Sequence, residues 1–293
     1  MKIAVLGAEG QLGSELCRQL GPRAVPLGRT QLDIASREQV EKTLLPLRPA
    51  AVINTAAYTA VDRAEQEPEV CRAVNAQAVG YLAEACAKLD CPLVQISTDY
   101  VFGQDLSRTV PYTESDPAGP LNFYGASKLA GENAAAECSR HLIVRTCGLY
   151  GPRTKQTQTN FVDTMRRLAG ERKELRVVND QHCTPSYTVD VAQAILFLLE
   201  SGNWGLYHVV NTGATTWHDF AAEIFRCTDT SVRLEPITTA EYPTAARRPA
   251  YSVLDTAKYH TLGGPLMRPW PEALAAYLSL SDRAREDRQV SDQ

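Results

Sequence analysis

Short apolar runs alternate with longer helical patterns along the first half of the chain. Apolar runs bounded by glycine or turn residues predict buried strands over 2–6, 24–27, 51–54, 93–97 and 142–145. Helical spacing predicts helices over 11–20, from the N-cap Ser36 onward, over 69–89 and over 122–138. Strands that alternate with helices indicate an α/β protein with a Rossmann-type, doubly wound parallel sheet.

The second half of the chain is less regular. Its patterns predict helices over 160–170, 189–200, 215–226 and 271–280, and strands over 175–178, 207–210 and 232–236. We therefore expect a cofactor-binding Rossmann domain over 1–150, rejoined by about 186–212. Residues 151–280 should form mainly a smaller α/β C-terminal substrate domain. The charged segment 281–293 is predicted to be a disordered tail.

Composition excludes several classes of protein. The 293 residues are 44% hydrophobic and 22% charged, with a formal charge of -4, which does not favour nucleic acid as a partner. No apolar stretch approaches the ~20 residues of a membrane span, and the first apolar run is too short for a signal peptide. We expect a cytoplasmic protein, with its eight cysteines reduced, since none has the spacing of a zinc site or disulfide framework.

The segment Gly7-Ala8-Glu9-Gly10-Gln11-Leu12-Gly13 follows the first predicted strand and opens a helix. Glycine at the first position permits a tight turn, at the second a close approach of a pyrophosphate, and at the third close packing of helix on strand. The amides of the helix N-terminus then meet the phosphates. The pattern predicts a dinucleotide site whose contacts are Gly7, Gly10, Gln11, Leu12 and Gly13, with an ordinary glycine-rich turn as the alternative.

Arg29 follows the second strand, where an acidic residue would favour NAD. A guanidinium there can pair with the 2′-phosphate of NADP, so we expect NADPH, with NADH as the alternative. Asp33 and Ile34 are candidates for contacts with the adenine. The small residues after the third strand should form a wall against the cofactor, at Ala56, Ala57 and Tyr58.

Tyr124 and Lys128 are four residues apart on one predicted helix, and Thr98 ends the fourth strand. A threonine hydroxyl can bind a substrate carbonyl, a phenol can donate a proton to it, and an ammonium beside the phenol lowers its pKa. These three residues are the predicted catalytic set for reduction of a ketone beside a nicotinamide. Tyr124 and Lys128 are also predicted cofactor contacts, and Lys128 can bond the nicotinamide ribose. Asn75 is a further candidate cofactor contact: in the middle of a helix, it is predicted to hold a water or a kink near Lys128, with an exposed polar residue as the alternative.

Together these motifs resemble the extended short-chain dehydrogenase/reductase superfamily, and several resemble the dTDP-4-dehydrorhamnose reductase family within it. The motifs run over nearly the whole chain up to about residue 280: Ala56-Ala57-Tyr58-Thr59-Ala60-Val61-Asp62-Arg63-Ala64-Glu65, Ser97-Thr98-Asp99-Tyr100-Val101-Phe102, Tyr124-Gly125-x-x-Lys128-Leu129-Ala130-Gly131-Glu132, Asn179-Asp180-Gln181, Gly205-Leu206-Tyr207-His208, Thr215-Thr216-Trp217-His218-Asp219 and Arg248-Pro249-x-x-Ser252-x-Leu254.

The resemblance implies a reductase that passes hydride from NAD(P)H to C4 of the keto sugar of dTDP-4-dehydro-L-rhamnose. It implies catalytic roles for Thr98, Tyr124 and Lys128. It further implies sugar-nucleotide contacts, strongest at Val61, Asp99, Tyr100 and Tyr124 and weaker at Asn160 and Arg248. For Arg248, a solvated surface pair with Arg247 is the alternative.

The chain departs from the family pattern at two places. Gly148 stands where some members have a tryptophan that packs against the sugar, so a wider pocket is expected. Glu15 matches a metal-binding position of some members, but Pro185-Ser186-Tyr187-Thr188 supplies no second glutamate, and we predict no metal. Two alternatives stay open: a reductase or epimerase of another nucleotide sugar, or a cofactor-binding regulatory subunit. The protein is expected to be a monomer or a homodimer.

Overall fold

The computed structural model describes residues 1–152 and 160–291, with side chains up to Leu280. Its twelve strands within that range are β1 (Ile3–Leu6), β2 (Ala24–Leu27), β3 (Ala51–Asn54), β4 (Leu93–Thr98), β5 (His141–Thr146), β6 (Leu149–Tyr150), β7 (Glu174–Val178), β8 (His182–Cys183), β9 (Ser186–Tyr187), β10 (Gly205–His208), β11 (Thr215–Thr216) and β12 (Arg233–Ile237).

The described α-helices number eleven. They are α1 (Gln11–Leu20), α2 (Arg37–Leu47), α3 (Val61–Ala64), α4 (Pro68–Arg72), α5 (Ala78–Leu89), α6 (Phe123–Ala136), α7 (Phe161–Glu171), α8 (Thr188–Ser201), α9 (Trp217–Cys227), α10 (Ala257–His260) and α11 (Trp270–Ser291). A π-helical turn, Ala73–Gln77, joins α4 to α5, so the single helix predicted over 69–89 is interrupted where Asn75 lies.

Six strands form the central sheet in the order β10-β5-β4-β3-β1-β2, and every pairing in it is parallel. The predicted Rossmann-type fold is confirmed. The chain leaves β1 toward β2 on one side and returns through β3 on the other. The order of the strands therefore reverses beside β1, which is where open α/β sheets bind ligands at the carboxyl ends of their strands.

Buried apolar side chains cover both faces of the sheet. One cluster joins the sheet to α1 and α8, and a second joins it to α2, α5 and α6. Strand β10 lies at the edge beside β5, so a segment after residue 186 returns to the first domain. The division at about residue 150, with 186–212 rejoining the first domain, stays a prediction.

A smaller lobe packs α7, α9 and α11 around the parallel pair β7 and β12. Its core is rich in aromatic rings, including Tyr150, Tyr187 and Phe220. Helix α11 continues to Ser291, so the predicted end near Leu280 is wrong. Disorder over 281–293 stays a prediction, because the side chains beyond Leu280 lie outside the described residues.

All eight cysteines are free thiols, as predicted, and six of them are buried. Within the described ranges, no helix is both long and apolar enough to cross a lipid bilayer.

Candidate active site

A cleft of about 840 Å³ lies at the carboxyl ends of the central strands. The loop after β1, the loop after β3, the end of β4, helix α6 and the turn after β5 all contribute to its lining. The predicted residues found in it are Gly7, Gly10, Gln11, Leu12, Gly13, Arg29, Asp33, Ile34, Ala56, Ala57, Tyr58, Thr98, Tyr124, Lys128 and Asn160.

The glycine loop has the geometry that its motif predicts. Gly7 has a positive φ of 70°, and a Cβ on Gly13 would lie 2.3 Å from the carbonyl oxygen of Gly7. Both positions therefore need glycine. Helix α1 begins at Gln11 without a side-chain cap, and its N-terminus, which favours an anion, opens onto the cleft.

Arg29, two residues after β2, brings a guanidinium to the end of the cleft away from Tyr124. Arg29 lines it and is exposed, and within the described residues its guanidinium has no side-chain partner. Such a guanidinium can bind a phosphate bidentately without giving up an ion pair. The amide of the neighbouring Gly28 donates to Gln31 Oε1 at 2.9 Å, which holds the turn that presents Arg29.

Thr98 and Tyr124 meet at the inner end of the cleft. Thr98 is the last residue of β4, and its hydroxyl donates to Asp99 Oδ1 at 3.1 Å. Burial raises the pKa of Tyr124, and a side-chain hydrogen bond with Thr98 opposes that rise. The phenol is therefore protonated at neutral pH, which is the form that donates a proton.

Lys128 is buried one turn along α6 from Tyr124. Its Nζ donates to the carbonyl oxygen of Ile96 at 2.6 Å. Burial lowers the pKa of Lys128 to about 8, and the charge of Glu132 opposes this. The ammonium thus stays charged at neutral pH beside the cleft.

Asn75 is buried and does not line the cleft, so its alternative as an exposed polar residue is wrong. Its Oδ1 accepts from the amide of Tyr58 at 2.9 Å, and its Nδ2 donates to the carbonyl of Tyr58 and to Ser127 Oγ at 3.0 Å. Asn75 therefore joins the Tyr58 wall of the cleft to the helix that holds Lys128.

The remaining predicted substrate residues divide into two groups. Asp99 is buried and lies outside the cleft lining, and its Oδ2 accepts a hydrogen bond from Ser252 Oγ at 2.6 Å. Val61 is the first residue of α3 and lines neither of the two cavities. Tyr100 and Arg248 line a second pocket. Tyr100 also packs edge-on against Tyr124, with 6.0 Å between ring centroids, so it lies between the pocket and Tyr124.

The second pocket, of about 560 Å³, belongs mainly to the smaller lobe. Aromatic and apolar side chains line it together with three arginines: Phe161, Met165, Leu168, Leu175, Val177, Trp217, Ile237, Tyr242, Arg172, Arg176 and Arg248. Arg248 pairs with Asp62 and is only partly exposed, so its alternative as a solvated surface arginine is wrong. The pocket can bind a ligand that combines a flat ring with anionic groups.

Asn160 takes a different position from Arg248. It lines the cleft as the N-cap of α7, and its Oδ1 accepts from the amide of Asp163 at 2.9 Å. Its Nδ2 lies 3.5 Å from Gln11 Oε1, across the cleft from the glycine loop. The structure therefore places in two different cavities the two residues that the sequence grouped as the weaker sugar-nucleotide contacts.

Gly148 lines the cleft with a positive φ of 51°. A Cβ there would lie 3.2 Å from Cη2 of Trp217 and 3.2 Å from the Cα of Pro185. The space beside Gly148 is therefore filled by an indole from α9. The wider pocket expected from this glycine is not found at this wall.

Sequence reasoning missed several groups at the inner end. Thr146 lines the cleft, and its buried hydroxyl has no hydrogen-bond partner among the described residues. Glu132 forms a buried pair with Arg145 at 2.7 Å and also accepts from Ser97 Oγ at 2.5 Å. The pairing of β4 with β5, which sets Thr146 beside Thr98, was the available signal for Thr146.

Glu15, the candidate metal ligand, is buried on α1, where it accepts hydrogen bonds from Arg18 and Gln19. Its carboxylate is thus engaged within its own helix. Over the residues that the structure describes, no group of three His, Cys, Asp or Glu side chains could hold a metal ion.

Similarity to known proteins extends over nearly the whole chain. The family model of the RmlD substrate binding domain matches residues 1–282. A dTDP-4-dehydrorhamnose reductase of Streptomyces griseus is 40% identical over 292 residues, which cover 96% of this chain and 94% of the relative.

Two solved structures are similar over most of the chain. A dTDP-4-dehydrorhamnose reductase of Clostridium acetobutylicum has a TM-score of 0.92 and 40% identity, covering 96% of this chain and 100% of that one. A dTDP-4-dehydrorhamnose reductase of Bacillus anthracis in complex with NADP has a TM-score of 0.90 and 39% identity, covering 95% and 99%.

Proposed function

We propose that this chain, which belongs to the dTDP-4-dehydrorhamnose reductase family, reduces the C4 ketone of dTDP-4-dehydro-L-rhamnose to give dTDP-L-rhamnose. The observation that carries this proposal is a single cleft that contains the glycine loop, Thr98, Tyr124 and Lys128. A dinucleotide bound at the glycine loop would extend along the cleft and place its nicotinamide beside Tyr124, the proposed proton donor. That arrangement suits reduction of a carbonyl.

The cofactor is NADPH, which supplies the hydride when it is bound. The amides that open α1 suit the pyrophosphate, and Arg29 suits the 2′-phosphate. The glycines leave room for the backbone to approach the phosphates, while Ala56, Ala57 and Tyr58 form the facing wall. The relative from Bacillus anthracis was solved in complex with NADP.

The catalytic roles follow from where the polar atoms lie. Thr98 binds the ketone oxygen, and Tyr124, which is protonated because burial raises its pKa, donates the proton to that oxygen. Lys128 holds a positive charge near the tyrosinate that forms. The Thr146 hydroxyl, which also lines the cleft, can form a hydrogen bond with a polar group of the bound sugar.

The nucleotide of the substrate is assigned to the second pocket. Its aromatic side chains suit a thymine ring, and its arginines suit a diphosphate. Tyr100 lies between this pocket and Tyr124, so the sugar would pass beside it to reach the cleft. Asp99 supports Thr98 from beneath, and Val61 as a sugar contact stays a prediction.

The direct test is incubation of the purified protein with NADPH and dTDP-4-dehydro-L-rhamnose. Loss of NADPH absorbance and formation of dTDP-L-rhamnose are expected. Turnover of a different keto sugar nucleotide, with none of this one, would favour the alternative substrate. Cofactor binding without turnover of any keto sugar would favour a regulatory subunit.

We also propose a cytoplasmic protein that is a monomer or a homodimer. Light scattering on the purified chain and fractionation of cells test these two proposals. A larger assembly, or recovery in the membrane fraction, would contradict them.

A further inference from the structure

Arg248, at the wall of the second pocket, is held by a carboxylate from the first domain. Its Nη2 donates to Asp62 Oδ2 at 2.7 Å, and its Nη1 donates to Asp62 Oδ1 at 3.2 Å. The residues are 186 positions apart in sequence, and Asp62 belongs to α3. The Asp62 carboxylate therefore binds the end of the guanidinium through two hydrogen bonds, and Asp62 itself lines neither cavity.

The remaining hydrogen-bond donors of Arg248 lie on one edge. Nη1 gives its second hydrogen to the carbonyl of Ala246 at 3.0 Å. Of the five N–H donors of a guanidinium, this leaves Nε–H and one on Nη2, which form the side edge of the fork. Tyr100, which lines the same pocket, lies near this guanidinium. A side edge matches two oxygens of a phosphate.

Asp62 also holds the backbone beside Arg248. Its Oδ1 accepts from the amide of Ala246 at 3.0 Å. The same loop supplies Tyr242 and Thr244 to the pocket lining. One carboxylate thus sets both the loop and the orientation of the arginine on it.

We propose that Asp62 is a positioning residue, which holds Arg248 end-on so that its side edge binds the diphosphate of the nucleotide sugar. The inference rests on the proposed function for the class of ligand. Asp62 does not touch the ligand and acts through Arg248. The carboxylate orients the arginine rather than competing with the diphosphate for it.

The test measures the Kd of dTDP by calorimetry, which does not depend on turnover, together with KM for the keto sugar nucleotide and for NADPH. In Asp62→Asn, the side chain keeps its shape but loses its charge. We expect the Kd of dTDP and the KM of the sugar nucleotide to rise about tenfold, with the KM of NADPH unchanged. No binding of dTDP to the wild-type protein, an unchanged Kd, or a lower Kd would overturn the inference.

A double-mutant cycle separates positioning from a merely structural role. If Asp62 acts through Arg248, Asp62→Asn should change the Kd of dTDP by less than about twofold in an Arg248→Ala background. An equal effect in both backgrounds would show that Asp62 acts elsewhere, and would overturn the inference. So would an Arg248→Ala variant that binds dTDP as wild type does.

The chain offers a matched control in Arg108 and Asp116. Their side chains form the same end-on pair, with Nη1–Oδ1 at 3.1 Å and Nη2–Oδ2 at 3.0 Å, and neither residue lines a cavity described here. Asp116→Asn should leave both Kd and KM unchanged. Loss of dTDP affinity in this control as well would assign the effect to general destabilisation and overturn the inference. Failure of the proposed function would instead appear as a wild-type protein that binds dTDP but reduces no keto sugar.

Discussion

The cleft and the second pocket lie side by side but are built in different ways. The cleft is lined mainly by residues that directly follow parallel strands or begin the next helix, in short contiguous motifs. The second pocket draws on Tyr100, α7, β7, α9 and the loop that contains Arg248. A parallel sheet brings the ends of its strands together by its own geometry, whereas the pocket depends on contacts between distant segments.

The difference extends to the charges. At the cleft, burial changes the pKa of Tyr124, the proposed proton donor, and of Lys128, the proposed positive charge beside it. At the pocket, Arg248 and Arg176 are paired with carboxylates, as expected of groups that bind and orient. The cleft is therefore suited to chemistry and the pocket to recognition. Substitutions of Tyr124 and Lys128 should then affect kcat, and those in the pocket the KM of the sugar nucleotide.

Tyr124→Phe should give the largest effect. Removal of the proton donor is expected to lower kcat by about 100- to 10,000-fold, with little change in the KM of either ligand. Steady-state kinetics at pH 7 measures this. Tyr112→Phe is the matched control, because its hydroxyl is also buried but lies outside the cleft and has no partner among the described residues. A kcat close to wild type in Tyr124→Phe would contradict the assignment of Tyr124 as the proton donor.

Glu132→Ala tests the structural support beneath the cleft. It would leave Arg145 buried without its carboxylate, since both side chains are about 5% exposed. We expect a loss of about 3–5 kcal/mol in the free energy of unfolding, measured by urea denaturation. Asp90→Ala removes the exposed partner of Arg140 and should cost less than about 1 kcal/mol. Equal losses in the two variants would contradict the importance assigned to the buried pair.

Gly148→Ala tests the wall between the two regions. The positive φ alone costs about 1–2 kcal/mol for a residue with a Cβ. Gly202→Ala is the matched control, since Gly202 has a φ of 69° and no atom within 4 Å of an added Cβ. We expect Gly148→Ala to lose more stability than the control, and to raise the KM of the sugar nucleotide by displacing Trp217. The same melting temperature in both variants would show that the indole moves without cost.

Arg29→Ala tests the far end of the cleft. We expect the KM of NADPH to rise about tenfold and that of NADH to stay nearly constant, because only NADPH has the 2′-phosphate. Arg37→Ala removes an arginine of the next helix that instead pairs with Glu84, and should leave both constants unchanged. Equal changes for the two cofactors in Arg29→Ala would mean that this residue does not bind the 2′-phosphate.

The pH dependence should give the smallest effect. Lys128 is charged below its pKa of about 8 and neutral above it, so activity that needs the ammonium falls as the pH rises. At pH 8.5, kcat/KM should be roughly fourfold below its value at pH 6.5 to 7, where the lysine is charged. A pH profile of kcat/KM measures this. A flat profile up to pH 9.5 would contradict the assigned role of the ammonium.

Sequence reasoning succeeded where local structure follows from the spacing of residues. The glycine loop needs glycine at Gly7 and Gly13 because the backbone turns back on itself within a few residues, and the structure has that turn. The interval between Tyr124 and Lys128 places both on one side of α6 by helix geometry alone. Asn75 was identified as unusual because asparagine disfavours a helix interior, and it lies in a π-helical turn.

Sequence reasoning failed where a contact joins residues that are distant in sequence. Gly148 indicated a wider pocket, yet Trp217, 69 positions later, fills that space. Arg248 had a surface alternative because nothing near it in sequence reveals Asp62 as its partner. The last helix continues beyond the end that its apolar pattern predicted, since a helix can extend through polar residues that no core requires.

The sequence by itself thus determined the parallel sheet, the glycine loop that opens α1, and the placement of Tyr124 and Lys128 on one side of α6. Each depends on residues within one turn of a helix or one strand and its loop, where backbone geometry leaves few choices. Only the tertiary structure decided which aromatic ring stands beside Gly148, which carboxylate orients Arg248, and how the second pocket meets the cleft. Those contacts depend on how the smaller lobe packs against the sheet, and packing is a property of the whole chain.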